Sequence, residues 1–465
     1  MENRAGRGRA MNGLKSRDAA RRLAWIVVVS LAVKVAFLPV VADMECTGDQ
    51  CSFLHAARAV LAGDGFDYGT DDWSEGHTPP LFVLFLAGLL GLSGGSLSAV
   101  RFAQVVVSCG TVVLVFHLAR RWVSPRGALL ASAGVAIYPN FIAYTQYAFT
   151  ETVFSCLLAA LVLSLVRLQE RGRIRDAVLI GALFGIAALF RSMVLYLLLP
   201  VGAWVLFGAR REGWRALVRA AVIVFVMLTV ISPWAAYNRA RFGKSLLLAT
   251  NAGNVVYRNL NHFPPENYDY RAFRRTEWRP DQRPWVRSRA ENPVDRYQED
   301  IRAGMTFALE NPATTARYAW IKLRGLWNPG SFLLRYLHSG VYGEVNAGMI
   351  ALWTVLAVGS FMLAVLAGTL GIAGARAGPL RVAVLLVIAY WLAIHGMTLG
   401  MSRYRLPLMV FFLLGAGAFL DDPRGCLRRL RGRPLTMAAL VPWGILLVSS
   451  WLLYAPILWG GDRAG

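Results

Sequence analysis

The chain has 465 residues, 56% of them hydrophobic and 16% charged, with 49 Lys and Arg against 27 Asp and Glu. A water-soluble protein of this length would divide into domains of amphipathic helices, whereas here long runs are apolar on every face and Arg-rich joints separate them, the pattern of a polytopic membrane protein. The excess of +22 sits at the ends of apolar runs, so it reads as a topology signal and not as a nucleic-acid surface.

Helices are the expected spanning elements, because backbone groups in lipid must be satisfied internally and the runs are too long and uniform for barrel strands. Residues 1–22 carry Arg4, Arg7, Arg9, Lys15, Arg17, Arg21 and Arg22 and are expected to form a flexible cytoplasmic tail. The first apolar run, 23–41, is long enough to span and lacks an A-x-A-like cleavage site, which argues for a span over a cleaved signal. Lys34 interrupts it and is expected to snorkel or to pair with a neighbouring helix.

The next stretch reverses the charge of the chain. Asp43, Glu45, Asp49, Asp64, Asp67, Asp71, Asp72 and Glu75 stand against Arg58 alone, and the stretch ends in the rigid turn His77-Thr78-Pro79-Pro80. Cys46 and Cys51 fall inside it and admit either a disulfide on an oxidising face or two separate thiols. Cys109 and Cys156 lie in apolar runs and Cys426 in a basic joint; no CxxC pair or His cluster has metal-ligand spacing.

Residues 81–92 are too few to span and are expected to lie in the interface or to re-enter. Run 100–118 then crosses inward to Arg120, Arg121 and Arg126. The runs 127–144, 152–166, 177–190, 193–207 and 220–234 alternate outward and inward, with Arg167, Arg171, Arg173, Arg175, Arg210, Arg211 and Arg215 at inner joints. Residues 237–345 are too polar for lipid and carry Asn-Pro, Arg-Pro and Pro-Pro breaks, so a small folded extracytoplasmic region is expected. The runs 349–370, 382–394, 406–420 and 435–458 complete about eleven spans, with the N-terminus cytoplasmic and every strongly basic short joint on that side.

The expected architecture is therefore an all-α polytopic membrane protein of the plasma (inner) membrane. It comprises a basic tail (1–22), an N-terminal transmembrane catalytic module (23–236) containing the acidic loop 42–80, an extracytoplasmic region (237–345) and C-terminal transmembrane helices (346–458). This topology brings Asp49, His77, Thr150-Glu151, Arg191, Asn238-Arg239 and Arg403-Tyr404-Arg405 to the outer surface. A carboxylate base together with cations suits a reaction with a phosphate leaving group, and the planar fork of Arg matches phosphate oxygens at two points. Blander roles compete. Asp49 can be a solvated loop acid, Thr150-Glu151 a helix cap and the arginines head-group anchors, although outward-facing Arg opposes the positive-inside bias and so needs a reason.

The run Gly48-Asp49, Phe53, Ala56, Ala57, Leu61, Gly63-Asp64-Gly65-Phe66 and His77-Thr78-Pro79-Pro80-Leu81 resembles the first extracytoplasmic loop of GT-C glycosyltransferases. The likeness is to the branch that holds the protein O-mannosyltransferases and the lipid A aminoarabinose transferase. Similar patches follow in order: Thr150-Glu151, Leu189-Phe190-Arg191, Pro233-Trp234 through Asn238-Arg239 to Phe242-Gly243, residues 251–261 with Gly253, Tyr257 and Asn259, and Arg403-Tyr404-Arg405-Leu406-Pro407.

The resemblance implies a GT-C fold with juxtamembrane helices in the first loop and an inverting transfer. The sugar would pass from a polyprenyl-phosphate donor to an acceptor hydroxyl on a lipid, glycan or protein at the outer membrane face. It makes Asp49 the base, Arg403, Arg405 and Arg191 the phosphate-binding residues, and His77, Glu151 and Tyr404 further substrate contacts. Asp49-Gln50 stands where many members have Asp-Glu. That leaves a divalent cation without support, with Glu45 a misplaced substitute, so no cofactor is expected. The rival classes are a transporter or flippase of lipid-linked substrates, which would place ionisable groups near the midplane or show repeats, and a polymerase or ligase using a diphosphate carrier. Here the ionisable residues crowd one surface, Lys34 excepted, and no repeat is evident; the polymerase or ligase would share the Arg logic but would not need this acidic first loop.

Overall fold

A computed structural model describes residues 2–41, 44, 46–70, 75–208, 213–261 and 290–458, with the side chains at 2–16, 207–208, 254, 258–261 and 455–458 left aside. Asp43, Glu45, Asp71, Asp72, Arg210 and Arg211, the middle of the 237–345 region and the Asn259 side chain thus lie outside the described residues. Those described form helices and connecting turns, with no strand among them.

Every run read as a span is helical. In chain order the first helices are α1 (Glu2–Ala36), α2 (Asp49–Ala62), α3 (Leu81–Leu92), α4 (Leu97–Ala119), α5 (Pro125–Ile137), α6 (Pro139–Ala143) and α7 (Glu151–Arg171). They are followed by α8 (Ile174–Phe190), α9 (Val194–Gly208), α10 (Trp214–Phe242), α11 (Asn251–Asn261), α12 (Pro293–Glu310), α13 (Pro312–Leu326) and α14 (Phe332–His338). The last are α15 (Ala347–Gly374), α16 (Pro379–Met397), α17 (Leu406–Asp421), α18 (Pro423–Arg431) and α19 (Pro434–Leu458).

Eight of the described helices are long and apolar enough to cross a membrane, or nine if α5 and the bent segment after it are one span. The expected count of eleven included α8 and α9, whose 17 and 15 residues fall short of that length. The basic tail also differs from the expectation of flexibility: it is continuous with the first apolar run in α1. Ala, Arg, Leu and Lys are helix formers, and no Pro intervenes to end the helix.

Burial sorts the helices into centre and rim. In α7 and in the segment of α17, 78% of the most apolar stretch is buried, against 17% in α1 and α19. Accordingly α17 packs on α4, α5, α7 and α15. Rim helices turn large apolar residues outward, such as Leu217 and Phe225 on α10, Leu363 on α15 and Leu452 on α19, a surface suited to lipid contact. The α15–α17 contact is close because glycines face it: a Cβ on Gly371 would overlap the Gly415 carbonyl, and one on Gly368 would overlap Phe412. Small residues permitting backbone approach are the usual basis of helix association in lipid.

At one end of this bundle Arg121 bonds Glu170 at the close of α7 (2.9 Å), and Asp421 at the close of α17 accepts from Ser124 Oγ and N–H (2.5 and 2.9 Å). The beginnings of α7 and α17 therefore lie together at the other end. Lys34 is fully buried, its Nζ donating to Ser30 Oγ (2.5 Å) and to the Ala136 carbonyl (3.4 Å), so it ties α1 to α5.

Candidate active site

The site assembles where the two most buried helices begin. Glu151 is the first residue of α7, and Arg403 and Tyr404 lie in the short 3₁₀ turn Ser402–Arg405 that feeds α17. Several local features set these positions. Pro139 removes an amide donor and pushes Tyr138 to an extended conformation (φ −63°, ψ 121°), so the chain bends by 54° between Pro125–Ile137 and Pro139–Gln146. That bend carries Phe149, Thr150 and Glu151 to the head of α7. The Arg403 turn is held by Trp391 Nε1, which donates to the Tyr404 carbonyl (2.8 Å), and by His395, which stacks on Tyr404 (5.2 Å).

Asp49 arrives from the first loop. Gly48 precedes it at φ +56°, a left-handed conformation that favours glycine, and Asp49 opens α2, where a carboxylate suits the positive end of the helix dipole. Cys46 and Cys51 are joined in a disulfide, Cα to Cα 5.1 Å, which settles the alternative left open by the sequence. Gln50 is buried, its Oε1 accepting from Ala148 N–H (3.0 Å) and its Nε2 donating to Tyr336 Oη (3.1 Å).

The charged side chains form an alternating chain. Asp49 Oδ2 lies 2.5 Å from Arg403 Nη2, Arg403 Nε lies 3.6 Å from Glu151 Oε1, and Glu151 Oε1 accepts from Arg191 Nη2 at 2.8 Å. Arg191 Nε also donates to Thr150 Oγ1 (2.9 Å). Glu151 is 1% exposed, each arginine side chain 12% and Asp49 35%, so the chain runs from a sealed end to an open one. Aromatic faces wall it: Arg403 lies over Phe149 (5.0 Å), Phe332 (5.7 Å) and Tyr404 (4.8 Å), and Arg191 over Phe154 (5.5 Å) and Tyr404 (5.1 Å). Among the described residues two buried donors, Arg191 Nη1 and Arg403 Nε, have no hydrogen-bond partner, the latter lying beyond hydrogen-bond distance of Glu151. Unpaired guanidinium N–H groups beside a partly open carboxylate are what an incoming anionic oxygen would satisfy.

Other candidates fall elsewhere. Arg405 is turned away: Nη1 donates to the carbonyls of Leu326 (3.2 Å) and Asn328, Nη2 to that of Gly330 (3.2 Å), and the guanidinium lies over Phe361. His77 lies beside Tyr68 (ring centroids 6.4 Å), and its carbonyl accepts from Asn251 N–H (3.0 Å), so it joins the loop to α11. Tyr68 bonds Thr78 (2.6 Å), and burial pushes its phenol up to about 12. Asp67 is held below the usual carboxylate range by the Gly69 N–H and then by His55. Glu75 accepts from Tyr237 Oη (2.6 Å) and Arg241 (2.5 Å), fastening the loop to α10. Asn238 Nδ2 donates to the Leu246 carbonyl (3.1 Å), which is a structural bond.

Among the described residues no three His, Cys, Asp or Glu side chains converge to hold a metal ion. Gln50, beside the candidate base, has its carbonyl oxygen committed to the Ala148 amide. Phe332 and Tyr336 were not singled out in the sequence as site residues; nothing in a short apolar helix signals that it will close over a charge pair.

Residues 77–237 match the family described as dolichyl-phosphate-mannose-protein mannosyltransferase. Over 207 residues the chain is 31% identical to an undecaprenyl phosphate-alpha-4-amino-4-deoxy-L-arabinose arabinosyl transferase of Pseudomonas paraeruginosa, covering 42% of this chain and 36% of the relative. The Pseudomonas aeruginosa protein of the same name is 30% identical over the same share. The matched segment thus spans about a third of these relatives' length. Among solved structures, the archaeal oligosaccharyltransferase AglB from Archaeoglobus fulgidus superposes with a TM-score of 0.53 at 14% identity, over 97% of this chain and 56% of that one, a likeness of fold alone. The chain thus has a GT-C-like all-helical fold and, over residues 77–237, a sequence likeness to the mannosyltransferase family.

Proposed function

We propose that the protein is an inverting glycosyltransferase that moves a sugar from a polyprenyl-phosphate donor to an acceptor hydroxyl at the extracytoplasmic face of the plasma (inner) membrane. The observation that carries this reading is the chain Asp49–Arg403–Glu151–Arg191, with two unpaired guanidinium donors at one end of the bundle. The family match and the carriers named in the relatives' descriptions support a monophosphate-linked donor. The basic joints gather at the opposite end of the helices, which supports a cytoplasmic assignment for that end and an outward-facing site.

In this reading the donor phosphate is bound by Arg403 and Arg191, its oxygens meeting Arg191 Nη1 and taking over the Arg403 Nη2 that is paired with Asp49 before the donor arrives. The acceptor hydroxyl attacks the anomeric carbon from the side away from the phosphate while Asp49 takes its proton. The new glycosidic C–O bond forms as the bond to the phosphate oxygen breaks, and the leaving phosphate keeps the electron pair and the guanidinium contacts. Phe149, Phe332 and Tyr404 keep water from the arginines, which strengthens their hold on the developing charge. Glu151 keeps both guanidiniums aimed. Arg405 belongs to the support of this turn, because its donors are spent on carbonyls. The acceptor is a lipid, glycan or protein hydroxyl presented at the open, Asp49 side of the site.

The test is transfer from a polyprenyl-monophosphate sugar in membranes carrying wild type or Asp49→Asn. Loss of a general base lowers turnover by roughly 10²–10⁴-fold, with donor binding retained. Full activity in the variant would reject Asp49 as the base, and activity only with a diphosphate-linked donor would reject the donor class.

A further inference from the structure

We propose that the Cys46–Cys51 disulfide is a positioning element of the transfer reaction: closed, it holds Asp49 at the head of α2, and opened to two thiols it removes turnover while leaving donor binding in place. This inference rests on the function proposed above. The bridge encloses Thr47, Gly48, Asp49 and Gln50, so the base sits inside the ring that the disulfide closes.

The other restraints on Asp49 are weak or are lost during reaction. The first turn of a helix has no intrahelical acceptors for its N–H groups, and here two of them bond back within the same ring, Gln50 N–H to the Thr47 carbonyl (3.4 Å) and Cys51 N–H to the Gly48 carbonyl (3.0 Å). Gly48, at φ +56°, has none of the described residues within 4 Å of where a Cβ would lie, so it adds no packing to the ring. The Asp49 side chain is held by Arg403, but a third of it is exposed and the donor phosphate competes for the same guanidinium. When the donor is bound, the carboxylate therefore loses that restraint at the moment its position matters. Gln50 anchors the next residue to Ala148 and Tyr336, and the disulfide anchors the ring on its other side, so the base is clamped between them.

A bridge over so short a loop adds little to global stability through the unfolded chain. Its effect is on geometry, where a displacement of about 1 Å costs on the order of 10²-fold in rate. Both cysteines are half-buried, open to a small dithiol, whereas the free cysteines Cys109, Cys156 and Cys426 sit in α4, α7 and α18. In the reduction the protein disulfide gains two electrons and two protons and the dithiol closes to its own disulfide.

The experiment uses full-length protein in lipid nanodiscs, oxidised or treated with dithiothreitol, alongside C46S/C51S. Transfer kinetics are read with a polyprenyl-monophosphate sugar, and amide hydrogen exchange is read over residues 46–54. Reduction lowers kcat by about tenfold or more with donor KM within about twofold, oxidised glutathione restores it, and C46S/C51S behaves as the reduced protein and ignores dithiothreitol. Exchange across 46–54 accelerates on reduction while the rest of the bundle is unchanged. Unchanged kcat, or a change confined to KM, overturns the inference. Should wild type transfer no sugar in either state, the functional reading fails, and the exchange data, which need no turnover, still decide whether the bridge clamps this segment: unchanged exchange sinks it. Reducing protein that is already folded keeps the test valid if C46S/C51S does not fold.

Discussion

Asp49, at the head of the first-loop helix, and Arg403, just ahead of α17, form an ion pair with Oδ2 and Nη2 2.5 Å apart. In the proposed reaction that guanidinium serves two anions in turn, first the carboxylate and then the donor phosphate, so donor binding frees Asp49 to accept a proton. The pair thus couples occupation of the donor site to the readiness of the base.

Arg403 and Arg405 are two residues apart and separate cleanly by mutation. Arg403→Ala lowers kcat/KM for the donor by roughly 10²-fold, as expected for one charged contact to a developing anion, and also lowers thermal stability, because Glu151 loses one of its two cations. Arg405→Ala strands carbonyls of Leu326, Asn328 and Gly330 and costs roughly 3 kcal/mol of stability, with donor KM little changed. Donor kinetics and thermal melts on both variants check this; a raised donor KM in Arg405→Ala at unaltered stability would return Arg405 to the phosphate site.

Glu151, 1% exposed, neutralises Arg191 and Arg403 together. Glu151→Gln keeps the shape but leaves two buried guanidiniums short of a counter-charge, a loss of about 3 kcal/mol. Added polyprenyl phosphate supplies the missing negative charge, so it raises the melting temperature of the variant more than that of wild type. Equal shifts in the two proteins would show that the carrier phosphate does not meet these arginines.

Lys322, on α13, is 1% exposed and donates to the Met397 carbonyl (3.1 Å); burial pushes its ammonium down to about 7 from the usual 10.5. Between those values the folded chain holds this lysine neutral while the unfolded chain holds it protonated. The unfolded state then binds more protons, so this group's contribution to stability rises with pH from about 7 to about 10.5 and its full burial penalty applies below about 7. Melts at about pH 6.5, 8 and 9.5 check the sign: Lys322→Met gains most over wild type at the acid end, and a gap that widens toward alkaline pH contradicts it.

Much of the architecture was legible because membrane insertion is decided by composition over long windows. The apolar runs, the polar region from 237 and the basic joints are local properties, and each run is a helix. Length limited the count, since α8 and α9 are short, and helix propensity extended α1 through a tail that its charge suggested was loose. The likeness to GT-C glycosyltransferases was likewise legible from the acidic first loop and the ordered patches that follow it.

The site was legible only as a set of candidates at one membrane face. Asp49, Glu151, Arg191 and Arg403 were all singled out, but which guanidinium met which carboxylate was not encoded in any local pattern. Arg403 and Arg405 look equivalent in sequence; a 3₁₀ turn sends one to Asp49 and the other to the carbonyls of residues 326–330. The aromatic wall from Phe149 and Phe332, the Gln50 anchor on Tyr336 and the closure of Cys46 onto Cys51 likewise required coordinates. By itself the sequence determined what could enter lipid, because hydrophobic transfer sums over neighbours in the chain. Only tertiary structure decided the charge pairing, because an ion pair depends on a few ångströms between groups that the chain brings together last.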